Sequence, residues 1–138
     1  MNKLQRLLNT CIRFIVGLPN DENADSYSKS LHILPVKYRI KYKLCLTVFK
    51  ILNGLSPDYL KDKITPVIPS DFSFLRSSLD LTKLELPKFD NTYKYSMAKN
   101  WNMLPITLRS CGNIENFKKQ LKTHYFSIAY SWIIYYTT

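Results

Sequence analysis

The sequence predicts a mainly α-helical fold, a small helical bundle with one minor extended or β-hairpin element near residues 79–92. Three observations carry this. Apolar side chains recur at i, i+3, i+4 and i+7 near both ends of the chain, the period of a helix with one buried face. Proline and glycine stand where such helices would begin and stop. The 138 residues are 46% hydrophobic and 22% charged with three Gly and seven Pro, the composition of a packed domain rather than a linker or tail. The reading is one helical domain over 1–138, with a helix in 1–18, helical structure in 26–64, loop or extended chain in 65–92, helical structure in 93–127 and an apolar tail in 128–138.

Leu4, Leu7, Leu8, Cys11, Ile12 and Ile15 make an apolar helix face from Asn2 to Val16. Gly17 supplies a left-handed cap and Pro19 bars continuation. Residues 20–25 form an acidic loop, after which Ser26 or Ser28 caps a brief helix through His32. The segment VKYRIKYK, Val36–Lys43, alternates like a strand, but LCLTVFKILNGL continues it without turn residues to Asn53 and Gly54. Ile40, Leu44, Val48, Ile51 and Leu55 hold a helical period across it, and Pro35 suits a helix start. Ser56, Pro57 and Asp58 read as N-cap, first helical residue and first-turn acid of a short helix to about Ile64. Asp58 and Asp62, four apart, are accounted for by pairing with Lys61 and Lys63 and need no metal. Leu79, Leu81, Leu84 and Leu86 alternate irregularly up to Pro87, which gives the extended element. Tyr93, Met97, Trp101 and Leu104 line a further helix closed by Pro105. Asn113 caps a last helix that turns Phe117, Leu121, Tyr125 and Ile128 inward and Lys118, Lys119 and Lys122 outward. The tail SWIIYYTT either packs on that helix or forms an adhesive end.

Twenty Lys and Arg against ten Asp and Glu give a formal charge of +10, the balance of a chain that meets polyanions. Residues 1–50 carry +6, residues 51–90 carry −1 and residues 91–138 carry +5. At 100° per residue Arg39, Lys43 and Lys50 fall within about 40° of one another, a basic stripe. Lys37 and Lys41 lie over the apolar arc instead, where they snorkel or meet an anion. Basic groups alternate with aromatics in Lys37–Lys43 and again in Tyr93–Trp101, an arrangement that neutralises phosphates and offers rings to unpaired bases. Tyr38, Tyr42 and Trp101 are the stacking candidates, although aromatics at helical spacing ordinarily belong to a core.

Other chemistries find no footing. Two-metal phosphoryl transfer needs converging carboxylates, and no Asp-Asp pair flanked by strand residues is present. His32 and His124 stand in no nucleophile motif, and three glycines cannot build a phosphate loop. Cys11, Cys45 and Cys111 are an odd, widely spaced set, which excludes a zinc knuckle or disulfide framework and suits a reducing compartment. The most apolar stretch, Tyr125–Tyr136, is broken by Ser127 and Ser131 and too short to span a bilayer. No catalytic residue, cofactor or metal is expected, and the chain reads as soluble or peripheral.

Five strings occur in a telling order: LQRLLNTCIRFIVGL (Leu4–Leu18), LHILPVKYRIKYKLCLTVFKILNGLSPDYL (Leu31–Leu60), LRSS (Leu75–Ser78), WNMLP (Trp101–Pro105) and FKKQLKTHYF (Phe117–Phe126). In this order the chain resembles the C-terminal region of non-LTR (LINE-type, jockey-like) retrotransposon reverse transcriptases, from about Leu4 to Phe126. Departures mark a diverged copy: Cys11 stands where Ala is common, Ile33 where Trp is usual and Ala98 where Pro is frequent, and KFDNT (Lys88–Thr92) replaces a Gly-Arg-rich turn. The resemblance implies a helical region downstream of palm and thumb in an RNA-directed DNA polymerase. It further implies a nuclear or ribonucleoprotein-associated, intracellular setting. This chain lacks the aromatic-x-Asp-Asp palm motif, so Met1 reads as an internal methionine of a longer parent.

The function expected is therefore that of a catalytically inactive C-terminal remnant, binding RNA or DNA weakly and without sequence preference. Arg39, Lys43 and Lys50 are the first phosphate contacts, with Lys37, Lys41, Lys118, Lys119 and Lys122 beside them. The alternatives are a structural helical module that docks on the parent polymerase or on itself through the aromatic tail, and a pseudogene product without function.

Overall fold

The structure is a computed structural model that describes residues 2–19, 23–67, 82–89 and 92–131. It is mainly helical, and among the described residues no strand forms. The chain forms two compact units, one of residues 1–42 with 122–138 and the other of residues 43–121.

The first unit holds α1 (Asn2–Val16), α2 (Asp25–Ser30), the start of α3 (Val36–Leu52) and the end of the last helix. Gly17 ends α1 at φ +73°. The Leu18 N–H reaches back to the Arg13 carbonyl at 2.9 Å, the bond that closes a Schellman cap. Helix α2 ends by the same geometry with His32 in the glycine position, at φ +54°. There the Ile33 N–H donates to Ser28 at 2.9 Å and the His32 N–H to Lys29 at 3.1 Å. A side chain held left-handed costs about 1–2 kcal/mol, which the two closing bonds offset. Neither Ser26 nor Ser28 caps this helix. It opens at Asp25 with Ala24 in the cap position, two residues before Ser26, and the Asp25 N–H donates to Asn23 Oδ1 at 3.0 Å. Ser28 is interior and buried, its hydroxyl donating to the Ala24 carbonyl at 2.9 Å.

α1 packs on α2. Gln5 reaches from α1 to the start of α3, where its Oε1 accepts the Val36 N–H at 2.9 Å. That bond satisfies one of the four donors a helix N-terminus leaves open. Ile12, Ala24, Leu34, Tyr125 and Tyr130 are the buried apolar side chains among the described residues of this unit.

In the second unit, Gly54 closes α3 at φ +66°. Leu55 donates to Lys50 at 2.8 Å and Gly54 to Ile51 at 3.2 Å, again a Schellman cap. Asp58–Lys63 follows as a 3₁₀ turn rather than an α-helix. Ser56 makes no cap bond and its buried Oγ finds no hydrogen-bond partner among the described residues. Lys61 pairs with Asp58 at 2.7 Å, an exposed contact between neighbouring turns. Helix α4 (Tyr93–Asn102) is capped by Thr92, whose hydroxyl accepts the Tyr95 N–H at 3.2 Å. A four-residue helix, α5 (Ile106–Arg109), follows Pro105, and α6 (Ile114–Tyr130) opens on Asn113. The Asn113 Oδ1 accepts from Glu115 at 2.8 Å and Asn116 at 3.3 Å, the capping role its position predicts. α6 runs three residues past the predicted boundary at 127.

The extended element near 79–92 is an arm rather than a hairpin in the described residues 82–89; positions 79–81 and 90–91 lie outside them. One antiparallel bridge joins Leu84 to Pro66, with Glu85 donating to Thr65 at 2.8 Å and Val67 to Lys83 at 3.2 Å. Adjacent residues of α4 hold the arm from the other side. The Trp101 indole N–H donates to the Thr82 carbonyl at 2.7 Å. The Asn102 amide grips Leu84 twice, accepting its N–H at 2.9 Å and donating to its carbonyl at 2.7 Å. Leu84 is buried, so deleting that amide strands two backbone groups. Asn102→Ala should cost about 2–3 kcal/mol in urea unfolding, against about 1 for one exposed hydrogen bond.

Beneath the arm lies an aromatic core. The Phe49 and Phe117 rings stack at 4.2 Å with 15° between planes, and Trp101 tilts against Phe117 at 5.9 Å. Cys45, Val48, Met97, Leu104, Leu108 and Leu121 complete it.

Candidate nucleic-acid interface

Helix α3 carries Lys37, Arg39, Lys41, Lys43 and Lys50 and no acid, and the chain has no Asp or Glu between Asp25 and Asp58. Its buried side chains are Cys45, Leu46, Val48, Phe49 and Ile51, centred on Cys45. That side lies about 110° around the helix from the arc centred on Ile40 and Leu44, and Ile40 and Leu55 are exposed. The second half of α3 is apolar almost all round, so packing rather than periodicity chose the face. The shift leaves Arg39, Lys43 and Lys50 on the side away from the core. Arg39 and Lys43 are exposed and Lys50 half-exposed, with no carboxylate paired to them among the described residues.

Lys37 and Lys41 flank the buried side instead. Lys37 is exposed and Lys41 half-buried, and their ammonium groups sit 5.9 and 5.8 Å from the centre of the Tyr38 ring. They snorkel onto an aromatic face, at about 0.5–1 kcal/mol each. Tyr38 also meets the Tyr125 ring at 6.2 Å. Its ring is thus engaged on several sides, and a base would have to displace a lysine to stack there.

Of the other stacking candidates, Trp101 is withdrawn. It is 1% exposed, packed on Phe117 and hydrogen-bonded to the arm, with no face open to a base. Tyr42 is half-buried and, among the described residues, has no ring partner. Tyr93 and Lys94, in the first turn of α4, are exposed as well, while Lys99 lies 5.3 Å over the Tyr95 ring.

On α6, Lys119 and Lys122 are exposed and Lys118 half-exposed. Lys118 donates to Glu115 at 2.7 Å and holds that carboxyl below the usual range. The buried side of α6 turns along its length. Phe117, Leu121 and Tyr125 follow one face as predicted, but Ile128 is 40% exposed and Tyr130 is buried in its place, about 140° from Tyr125. The Tyr130 hydroxyl donates to the Ile33 carbonyl at 2.5 Å and its ring packs on Phe126 at 4.7 Å. Burial raises the Tyr130 pKa, as a hydrogen-bond donor needs, and Asp25 pushes the same way against the Ser28 hydroxyl. Residues 132–138 of the aromatic tail lie outside the described residues.

His32 and Phe126 meet edge to face at 5.4 Å beside a shallow depression of about 270 Å³, lined also by Lys122 and Thr123. His124, next on the helix, is part-buried against Tyr125 at 5.4 Å, and burial pushes its pKa down. The folded chain thus holds this proton more weakly than the unfolded chain does. Stability is full above the ordinary imidazole pKa and is lost as pH falls through the lowered folded value. The thermal midpoint should fall as buffer is taken from about pH 7 to about pH 5, and the fall should shrink in His124→Gln. An unchanged profile in that variant would assign the acid sensitivity to carboxylates.

A second depression, of about 340 Å³, is bordered by Leu84, Trp101, Arg109 and Cys111. Among the described residues no histidine or carboxylate lines it, and the buried Arg109 gives its Nε–H to the Leu104 carbonyl at 3.0 Å.

No family model, curated protein or solved structure matches this chain.

Proposed function

We propose that this chain binds RNA or DNA without sequence preference through phosphate contacts along the outer face of α3, as a catalytically inactive C-terminal piece of a non-LTR retroelement polymerase. One observation carries the binding half: five basic side chains and no acid on one helix, with Arg39, Lys43 and Lys50 in register on the side turned from the core. Phosphate neutralisation of this kind releases counterions and needs no preformed pocket. Lys118, Lys119 and Lys122 of α6 add positive charge, and Tyr42 is the aromatic nearest to the stripe in sequence that has no ring partner among the described residues. The ancestry half rests on the five ordered strings between Leu4 and Phe126. The Trp101–Asn102 pair inside one of them makes the three side-chain bonds that hold the arm.

Fluorescence anisotropy with single-stranded RNA and duplex DNA of scrambled sequence tests the reading. Binding at about 50 mM salt that weakens steeply toward 200 mM, alike for all sequences, is the expected result. Undetectable binding at the lower salt overturns it. Ancestry has its own test: translation of the DNA upstream of Met1 should yield an aromatic-x-Asp-Asp palm motif, in frame or frameshifted.

A further inference from the structure

Helix α1 has an apolar face that the described residues leave exposed. Ile12 is buried, and Gln5, on the same side, is spent on α3. Leu4, Leu7, Phe14 and Ile15 are 57%, 62%, 88% and 65% exposed, and Cys11 between them is exposed too. On a helical wheel these five fill one arc of about 100°, adjacent to the packed side. From Leu4 to Ile15 the stripe is about 17 Å long. Lys3 borders its outer edge, Arg6 and Arg13 lie on the polar arc beyond, and the helix contains no acid.

We propose that α1 lies in the interface of an anionic lipid bilayer, with Leu4, Leu7, Cys11, Phe14 and Ile15 among the acyl chains and Lys3 and Arg6 at the headgroups. A helix of low overall hydrophobicity with Leu and Phe on one face, and cations but no acid on the other, is the composition of an interfacial helix. The described residues contain no helix long and apolar enough to cross a membrane, so α1 would rest on the bilayer rather than span it. Charge decides between occupants. A second copy would bring together two basic helices that carry no acid and gain no opposite charge, whereas an anionic surface meets Lys3 at the edge of the stripe and Arg6 beyond it. The side chains also protrude, Phe14 most of all, which suits insertion into a deformable surface. This inference uses a different helix from the nucleic-acid reading and stands independently of it.

The test mixes the full chain with vesicles of phosphatidylcholine, with and without phosphatidylserine. Co-sedimentation is expected only with phosphatidylserine present. Phe14→Asp and Leu7→Asp, both at exposed positions and checked by circular dichroism for intact helix, should each lower the partition coefficient about tenfold or more. Because a +10 chain can also adsorb by charge alone, insertion needs its own readout. In a Phe14→Trp variant, brominated acyl chains should quench emission beyond the quenching of the parent chain. The proposal is overturned if phosphatidylserine vesicles are not bound, if both aspartate variants bind as the parent does, or if Phe14→Trp adds no quenched emission. A dimer that Phe14→Asp dissociates, found without vesicle binding, would assign the stripe to a second copy.

Discussion

Trp101→Ala should destabilise the unit formed by residues 43–121 by about 3–5 kcal/mol, the usual range for emptying a buried Trp site. The indole is 1% exposed, lies against Phe117 and donates to Thr82. Removing it opens a cavity beside the Phe49–Phe117 stack and takes the indole donor away from the Thr82 carbonyl. Trp101→Phe separates the two losses. It restores most of the volume without the donor, so it should recover more than half of the deficit and leave about 1–2 kcal/mol. Denaturant unfolding of the three proteins measures both. The contrast with a surface stacking residue is sharp: there, alanine would lower affinity for single strands with little change in stability. If Trp101→Ala weakens binding while its unfolding midpoint matches the parent, the indole is a recognition group and its burial is wrong.

The same residue marks where sequence reasoning stops. Some caps were legible because they are local: Gly17, Gly54 and Asn113 act through the backbone of their own turn and each does what its position predicts, whereas Ser26, Ser28 and Ser56 have the residue type of a cap and make none. Faces were harder. α1 reads correctly as amphipathic, yet only part of its apolar arc is buried, and nothing in the pattern says which part. α3 is so uniformly apolar in its second half that a one-sided periodicity could be drawn through Ile40 and Leu44 when packing had selected Cys45 and Phe49. On α6 the predicted face holds from Phe117 to Tyr125 and then turns, because Tyr130 finds the Ile33 carbonyl, a partner 97 residues away.

Non-local partners account for the remaining misses. Gln5 on Val36 and Asn102 on Leu84 are polar side chains that satisfy distant backbone groups, and no spacing rule announces them. His32 in a position that favours glycine is another case. The two cap bonds and the contact with Phe126 hold a conformation that local propensity opposes. The candidate interface was legible for a simple reason: Arg39, Lys43 and Lys50 share a face by helical register alone, whatever the helix packs against. Once the buried side moved toward Cys45 and Phe49, that stripe still pointed away from it.

Replacing all three, Arg39→Ala with Lys43→Ala and Lys50→Ala, should therefore change binding more than any other set and stability little. Each phosphate contact contributes about 0.9 to the slope of log affinity against log salt on duplex DNA, so three lost contacts flatten the slope by about 2.7. Near 0.1 M salt the same arithmetic weakens binding roughly a hundredfold or more, and equally for every sequence. Exposed substitutions of this kind stay within about 0.5 kcal/mol each of parental stability. The triple change of Lys118, Lys119 and Lys122 to Ala is the informative comparison. Glu115 sits 2.7 Å from Lys118 and already counters its charge, so this set should flatten the slope by less than its three lysines would otherwise give. Lys61→Ala, taken from a pair with Asp58, should leave affinity and slope as they were. If the α3 and α6 triples flatten the slope equally and Lys61→Ala does so in proportion, binding follows net charge alone and α3 has no privileged face. If the α3 triple leaves the slope unchanged, its stripe does not meet phosphate.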